Sequence, residues 1–143
     1  MNKLPPLEKI YEAYSAIADG RVALGESAAR VRSSDCAKEY TVTWNGNIYT
    51  STDSATYWQG YAGYPVLAVL MLQGRLPLDR ELAGRFAGID WHALNAKHKR
   101  DYAAAAAAAM QVKNIPGDAA GVEARRVLVA LEALPLTFKR GKQ

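Results

Sequence analysis

The chain has 143 residues, of which 50% are hydrophobic and 22% are charged, and its formal net charge is +4 at pH 7. This length and composition predict one globular domain with a sizeable core, and no apolar run is long enough to span a membrane. The single cysteine, Cys36, excludes an internal disulfide and fits a reducing cytoplasm, where we expect the protein. The modest positive charge permits nucleic-acid binding without indicating it.

The first predicted element is a helix that Pro5-Pro6 opens and Asp19-Gly20 ends. The start of the chain is typical of such a helix and not of a signal peptide. Apolar residues recur along it at helical spacing, which predicts one face packed on the core. That face consists of Leu7, Ile10, Tyr11, Tyr14 and Ile17.

Two β-hairpins are predicted next, forming a meander of roughly four antiparallel strands. In the first hairpin Gly25-Glu26 is the predicted turn, which places Leu24 opposite Ser27. Alternation assigns the apolar residues to one face and turns the arginines toward water or a ligand. These arginines are Arg21, Arg30 and Arg32.

The second hairpin is predicted around Asn45-Gly46, because both residues tolerate positive φ. Trp44 would then lie opposite Asn47, and Val42 opposite Tyr49. The connector that follows holds more aromatic residues among glycines, so much of the aromatic surface is concentrated in one sheet-and-loop region. The aromatic residues of the connector are Tyr57, Trp58, Tyr61 and Tyr64.

Helices dominate the second half of the chain. Pro65 opens an apolar run that predicts a buried helix ending at Gln73-Gly74. A short amphipathic helix is expected after Pro77, and Asp90 can cap the next one. From Trp91 to Asn114 we predict one long helix, because its alanine-rich middle has high helix propensity.

The last predicted helix follows a break at Pro116-Gly117, and its apolar residues alternate in steps of four and three. This is a heptad seam about two heptads long. Two interpretations stay open: the seam joins subunits into a dimer or tetramer, or it packs on its own chain. The prediction is an α+β binding domain over residues 1–115, followed over 116–143 by an oligomerisation helix and a basic, mobile tail. The seam consists of Ala120, Ala124, Val127, Leu131 and Leu134.

Motifs for catalysis or cofactor binding are not evident. His92 and His98 lie six residues apart without a cluster of further ligands, so no metal site is predicted. The sequence contains no G-x-S-x-G nucleophile motif and no glycine-rich phosphate loop. We therefore predict neither catalytic residues nor a cofactor. An enzyme whose carboxylates converge only in the fold stays an alternative.

Aromatic residues interleaved with positive charge are the chemistry that the sequence does carry. Such surfaces bind single-stranded nucleic acid, because bases stack on rings while Lys and Arg neutralise phosphates. The alternative is that the rings form an ordinary core and the charges a solvated face. Candidate stacking residues are Tyr49, Tyr57, Trp58, Tyr61 and Tyr64, and candidate phosphate contacts are Arg21, Arg30, Arg32, Lys97, Lys99 and Arg100.

Two runs of sequence also carry a family resemblance: KEYTVTWNGNIYTSTDSATYWQGYAGYPVLAVLMLQGRLP and GIDWHALNAKHKRDY. Over residues 38–102 they resemble the archaeal ThermoDBP-related proteins, which bind single-stranded DNA. The resemblance implies a small sheet packed with helices, a cleft for single-stranded DNA, assembly through C-terminal helices, and no enzyme activity. We therefore expect a homo-oligomeric protein that binds single-stranded DNA largely without sequence preference. Single-stranded RNA binding, or a protein–protein interaction module without nucleic-acid binding, are the alternatives.

Overall fold

The structure is a computed structural model that describes residues 3–142. Met1 and Asn2, which begin the first predicted domain, and Gln143, which ends the predicted tail, lie outside the described residues. Over this range the fold is α+β, as predicted, with a five-stranded sheet and helices packed on one of its faces. The strands are β1 (Val22–Leu24), β2 (Ala28–Arg32), β3 (Glu39–Asn45), β4 (Ile48–Ser51) and β5 (Thr137–Arg140). The helices are α1 (Glu8–Ala18), a π-helical turn (Ala55–Gln59), α2 (Tyr64–Leu72), α3 (Arg80–Arg85), α4 (Trp91–Lys97), α5 (Tyr102–Lys113) and α6 (Gly117–Ala133).

The strands follow one another across the sheet in the order β1-β2-β3-β4-β5. The first four form the predicted antiparallel meander, whereas β5 returns from the end of the chain and pairs in parallel with β4. Phe138 lies opposite Tyr49 in this added pair. The predicted mobile tail is the basic run KRGKQ, and the prediction is wrong for residues 139–140, which belong to β5. Strand β5 has only four residues, too few to give a clear strand pattern in the sequence. Its partner β4 is also distant in sequence, so the pairing could not be predicted from local patterns.

Both predicted hairpin turns are displaced, yet the predicted faces of the strands are right. Leu24 pairs with Ala29 rather than Ser27. Trp44 pairs with Tyr49 rather than Asn47, and Gly46 has a φ of +60° in the turn. Each partner lies two residues further along than predicted. Because side chains alternate with period 2, this shift leaves every side chain on its predicted face.

Helix α2 lies against the inner face of the sheet and forms the centre of the core. Its residues Val66, Leu67, Val69 and Leu70 are completely buried, as the continuous apolar run predicts. Pro65 stands in the first turn, where a missing N–H costs nothing. Burying side chains of this size stabilises the fold by about 1.5–3 kcal/mol each.

The long helix predicted from Trp91 to Asn114 is wrong, because the chain breaks between α4 and α5. Lys99 and Arg100 adopt left-handed conformations, with φ of 52° and 66°. Asp101 then caps α5, since its carboxylate accepts a hydrogen bond from the Ala104 N–H at 3.1 Å. Helix propensity favours continuation only weakly and cannot reveal such a break.

The heptad seam of α6 packs on its own chain. Ala120, Ala124 and Val127 are completely buried, Leu131 is 5% exposed and Leu134 is half-buried. The seam belongs to the same core as α1 and α2, and α6 contacts α1. Of the two interpretations, packing on its own chain is therefore right for the four buried residues of the seam, and joining subunits through them is wrong; Leu134 alone keeps part of its surface exposed.

The residues after Pro116 share the core and the sheet with the residues before it, since α6 packs on α1 and β5 pairs with β4. In the described part of the chain, none of the helices has both the length and the apolar character needed to cross a bilayer.

Candidate functional site: a cationic, aromatic-lined cleft

A cleft of about 670 Å³ opens beside α1. Its walls come from α1, the loop between β2 and β3, the connector between β4 and α2, and the α4–α5 region. This volume lies within the range of about 300–1,000 Å³ that is typical of ligand sites.

The floor of the cleft holds three buried charged side chains. Lys9, Glu12 and Arg21 are 8%, 5% and 7% exposed. Lys9 Nζ lies 3.2 Å from Glu12 Oε2, one turn along α1. Arg21 donates through Nη1 to the Arg32 carbonyl at 2.6 Å, and its Nε lies 3.5 Å from Asp19 Oδ2. Buried charges are expensive unless they are paired, so their presence at a cleft floor is an observation that points to function.

The protonation of the floor follows from burial and pairing. Burial raises the pKa of the Glu12 carboxyl, and the neighbouring Lys9 ammonium opposes that shift only in part. Burial by itself would lower the pKa of Lys9, but attraction to Glu12 and Tyr102 outweighs it and leaves that pKa above its ordinary value. Lys9 is therefore held as a cation, whereas Glu12 is easier to protonate than an exposed glutamate.

Aromatic rings cover much of the remaining wall. The Lys9 ammonium lies 4.2 Å from the centroid of the Tyr102 ring, a cation–π contact. Burial raises the pKa of Tyr40, Tyr61 and Tyr64, so their hydroxyl groups stay protonated and can donate hydrogen bonds at neutral pH. The aromatic lining consists of Tyr40, Trp58, Tyr61, Tyr64, Trp91 and Tyr102.

Trp58 stands at the mouth of the cleft and is 67% exposed. Its position depends on Asp53, which is buried and accepts hydrogen bonds from the Thr56 N–H at 3.1 Å and from the Ser51 hydroxyl. Asp53 therefore caps the first turn of the connector, three residues before Thr56. Gly63 is required beside it, because a Cβ there would overlap the Asp53 carboxylate.

Arg140 of β5 fixes the aromatic pair at this mouth. Its guanidinium carbon lies 5.1 Å from the Tyr57 ring centroid and 5.3 Å from that of Trp58. Its Nε donates to the Tyr57 carbonyl at 2.9 Å, and the two rings meet edge to face at 4.7 Å. The parallel strand therefore holds the stacking surface in place while leaving the Trp58 ring open to solvent.

Helix α4 supplies the opposite wall. The Trp91 Nε1–H donates to Ser15 Oγ at 2.7 Å, and Ser15 Oγ donates to the Phe86 carbonyl at 2.6 Å, which anchors α4 on α1. Ser34 in the β2–β3 loop accepts from the His92 N–H at 2.9 Å, so that loop is attached to the start of α4. These contacts give the cleft two walls that are tied to the core.

The break between α4 and α5 brings two more residues to the cleft. Arg100 lies within the break and Tyr102 begins α5, and both line the cleft. A left-handed conformation costs a non-glycine residue roughly 1–2 kcal/mol, and such strain tends to cluster at functional sites. Continuation of the helix through residues 98–101 would change the direction of both side chains.

The structure brings part of the predicted site together. Five of its residues line the cleft: Arg21, Trp58, Tyr61, Tyr64 and Arg100. Tyr57 is half-buried against Trp58, next to the mouth. Tyr49 is wrong as a stacking residue, because it is 1% exposed and its hydroxyl donates to Gln73 Oε1 at 2.6 Å.

Two further predicted residues differ from their expected surroundings. Arg21 was expected on a face open to water but is buried in the cleft floor, so an open-surface role for it is wrong. The Tyr61 ring is 7% exposed and can offer only part of its surface to a ligand.

The remaining predicted cations lie outside the cleft lining. Arg30 and Arg32 are on the outer face of the sheet, as alternation predicts, and Arg30 Nη1 lies 3.6 Å from Glu39 Oε1. Lys97 and Lys99 are exposed at the end of α4 and beyond it. The expected platform of rings and cations is therefore divided between two surfaces.

Several residues of the cleft were missed by sequence reasoning. Lys9 and Glu12 carried one usable signal, since they lie one turn apart and off the apolar stripe of α1. Lys38 and Tyr102 sit in segments whose placement depends on the fold, and nothing in the sequence marks Arg140 as a neighbour of Trp58. Glu12 is the one carboxylate among the residues lining the cleft. Within residues 3–142 no group of three or more His, Cys, Asp or Glu side chains converges to hold a metal ion.

The fold and cleft define an α+β protein with a cationic, aromatic-lined cleft. The chain belongs to the family described as Uncharacterised conserved protein UCP014422, which it matches over residues 2–137. Neither the curated proteins nor the solved structures yielded a match.

Proposed function

We propose that this protein binds single-stranded DNA, largely without sequence preference, through the cleft. The supporting observation is that the Trp58 ring at the mouth lies on the same concave surface as the cations Lys9, Arg21, Lys38 and Arg100. Base stacking on an exposed ring contributes about 1–3 kcal/mol, and cations add salt-dependent affinity by releasing counterions. The resemblance to single-stranded-DNA-binding proteins agrees with this proposal.

The primary test is a titration with oligothymidylate of about ten nucleotides, a length within the site sizes of single-strand-binding folds. Trp58 and Trp91 both line the cleft, so we expect tryptophan fluorescence to quench on binding. Affinity should fall steeply between about 50 mM and about 200 mM salt. Absence of binding at the lower salt concentration would contradict the proposal.

Two arginine variants locate the binding surface. Arg100→Ala removes a cation from the cleft, whereas Arg30→Ala removes one from the outer sheet face. For single strands each phosphate contact adds about 0.7 to the slope of log affinity against log salt. We expect Arg100→Ala to reduce the slope by about that amount and Arg30→Ala to leave it unchanged. The opposite result would place the strand on the outer face.

The nucleic acid is DNA in this proposal, and RNA is the nearest alternative. The 2′-hydroxyl is the group that lets a protein distinguish the two at a given site. Matched oligothymidylate and oligouridylate of equal length should be compared at one salt concentration. If the RNA strand binds more tightly, the ligand is RNA and the proposal of DNA is wrong.

Self-association is proposed through a different surface from the one expected. On α6 the exposed side carries Val122 and Val129, which are 63% and 69% exposed and lie seven residues apart, two helical turns. Light scattering of the wild type should give the mass of a dimer or tetramer, and Val129→Glu should reduce it. A monomeric wild type would contradict self-association. The same apolar residues support a protein–protein interaction module if DNA binding is absent.

We propose a binding role without catalysis, because a single carboxylate lines the cleft and offers no second one as an acid–base partner. We also propose a cytoplasmic location, which rests on the single exposed cysteine, Cys36.

A further inference from the structure

Positive charge and aromatic surface lie at different depths in the cleft. An open groove that binds a continuous strand would not need this separation. The cations Lys9 and Arg21 are at least nine-tenths buried at the floor, whereas Trp58 is two-thirds exposed at the mouth. A ligand that reaches both regions must carry its negative charge at the inner end and its flat ring nearer the solvent.

The floor cations also retain unused hydrogen-bonding capacity among the described contacts. An ammonium has three donors and a guanidinium has five. Lys9 makes an ion pair with Glu12 and a cation–π contact with Tyr102. Arg21 donates to the Arg32 carbonyl and hydrogen-bonds with the Tyr64 hydroxyl, and its Nε, which lies 3.5 Å from Asp19 Oδ2, is buried without a hydrogen bond. A ligand with several acceptor oxygens would satisfy the remaining donors.

An internal phosphodiester does not suit this position. It carries one negative charge and is attached to sugars on both sides, so both halves of the strand would have to enter and leave the floor. A terminal phosphate monoester has one attachment, three free oxygens and a charge of about −1.5 to −2 at pH 7. The floor carries the two cations Lys9 and Arg21 against the one carboxylate Glu12, so its formal net charge is positive and favours the more highly charged monoester over a phosphodiester.

We propose that the cleft binds the phosphorylated end of a single strand, with the terminal phosphate on Lys9 and Arg21 and the end base against Trp58. Arg100 and Lys38 line the same cleft and are exposed, so they suit the phosphodiester that follows. Glu12 opposes an anion at the floor, and its pairing with Lys9 reduces that repulsion. This inference rests on the proposed function and narrows it from any stretch of single strand to a strand end.

The test compares four oligothymidylates of equal length by competition against one labelled strand. They carry a 5′-phosphate, a 3′-phosphate, hydroxyl groups at both ends, or no ends because the strand is circular. We expect one phosphorylated strand to bind roughly 10- to 100-fold more tightly than the hydroxyl-ended and circular strands, since hydrogen bonds to a charged group contribute about 1.5–3 kcal/mol. The preferred end identifies the strand polarity.

Three results of these binding measurements would overturn the inference in different ways. Equal affinity for all four strands would exclude end recognition while leaving single-strand binding intact. Absence of binding to every strand would exclude both. Thymidine monophosphate distinguishes a strand end from a free nucleotide: if it binds as tightly as the phosphorylated strand, the ligand is a nucleotide and the strand-end assignment fails.

Variants at the floor give an independent readout. Lys9→Gln and Arg21→Gln should each weaken binding of the phosphorylated strand more than binding of the hydroxyl-ended strand, so that the preference between the two strands is lost. Arg125→Gln, on the exposed side of α6, is the matched control and should keep the full preference. A folded floor variant that keeps the preference would contradict the assignment. If both floor variants fail to fold, the comparison of strands on the wild-type protein still decides.

Discussion

The cleft and the outer face of the sheet both carry arginines, but they hold them in different surroundings. Arg21 is buried in the cleft floor among tyrosines, whereas the Arg30 side chain is 71% exposed beside Glu39. Within residues 3–142, Arg30 pairs with Thr41 and Arg32 with Glu39, so neither cation of the outer face has an aromatic residue as its partner across β2 and β3. Positive charge alone is thus a poor guide to a site, and its burial beside rings is the informative feature.

The largest expected difference between the two surfaces concerns their ion pairs. Lys9→Met leaves Glu12 buried without its partner and should lower the free energy of unfolding by about 3 kcal/mol. Arg30→Ala breaks an exposed pair and should change it by less than about 0.5 kcal/mol. Urea denaturation of both variants at neutral pH measures this difference. Equal stability losses would mean that the cleft floor is more hydrated than its burial indicates.

The next largest difference between the cleft and the outer face is the expected loss of DNA affinity when an exposed apolar side chain is removed. Trp58→Ala should weaken binding of oligothymidylate by about 1–3 kcal/mol, because it removes the exposed ring at the mouth of the cleft. Ile48→Ala is the matched change on the outer face, where Ile48 is 41% exposed, and should leave affinity unaltered. Anisotropy titrations of a labelled strand compare the two variants. A loss of affinity confined to Ile48→Ala would move the site to the sheet.

A smaller effect on stability is expected at Lys99 and Arg100, the two residues with left-handed backbone conformations beside the cleft. Lys99→Gly removes the penalty of a left-handed residue that does not line the cleft and should raise the free energy of unfolding by about 0.5–1 kcal/mol. Arg100→Gly should stabilise the protein similarly but weaken DNA binding, because Arg100 lines the cleft. Thermal melts and titrations of both variants separate strain from function. Destabilisation by Lys99→Gly would show that the Lys99 side chain contributes packing.

The smallest predicted effect is the pH dependence that burial gives to Glu12. Its pKa in the folded state is raised above 4.5, so the native protein holds a proton that the unfolded chain releases. The stability from this group is fully present below pH 4.5 and is lost as the pH rises through the raised pKa. The unfolding free energy of wild type minus that of Glu12→Gln should therefore decrease as the pH rises from 4.5 through the raised pKa of Glu12. A pH-independent difference would contradict a raised pKa.

Local patterns in the sequence identified a large part of the fold. Alternation assigned the correct faces of both hairpins even though the turns were displaced, because an even shift preserves every side-chain direction. The apolar run after Pro65 identified the buried helix. Asp90 was recognised as a helix cap, and its carboxylate accepts a hydrogen bond from the Ala93 N–H at 3.0 Å.

Features that join distant parts of the chain were not predicted, because the residues that form them are far apart in the sequence. Strand β5 pairs with a strand that precedes it by more than 80 residues. The seam of α6 could have joined subunits or packed internally, and only the position of α1 decided between them. The left-handed residues before α5 oppose the helix propensity of their neighbours.

The sequence by itself determined the elements, their buried faces and the two kinds of side chain that a nucleic-acid site needs. Tertiary structure alone decided which of them meet. It buried Tyr49 in the core, left Arg30 on the outer face, and gathered Lys9, Arg21 and Trp58 around one cleft. The physical reason is that periodicity is a property of neighbouring residues, whereas a cleft is formed by the packing of segments that are distant along the chain.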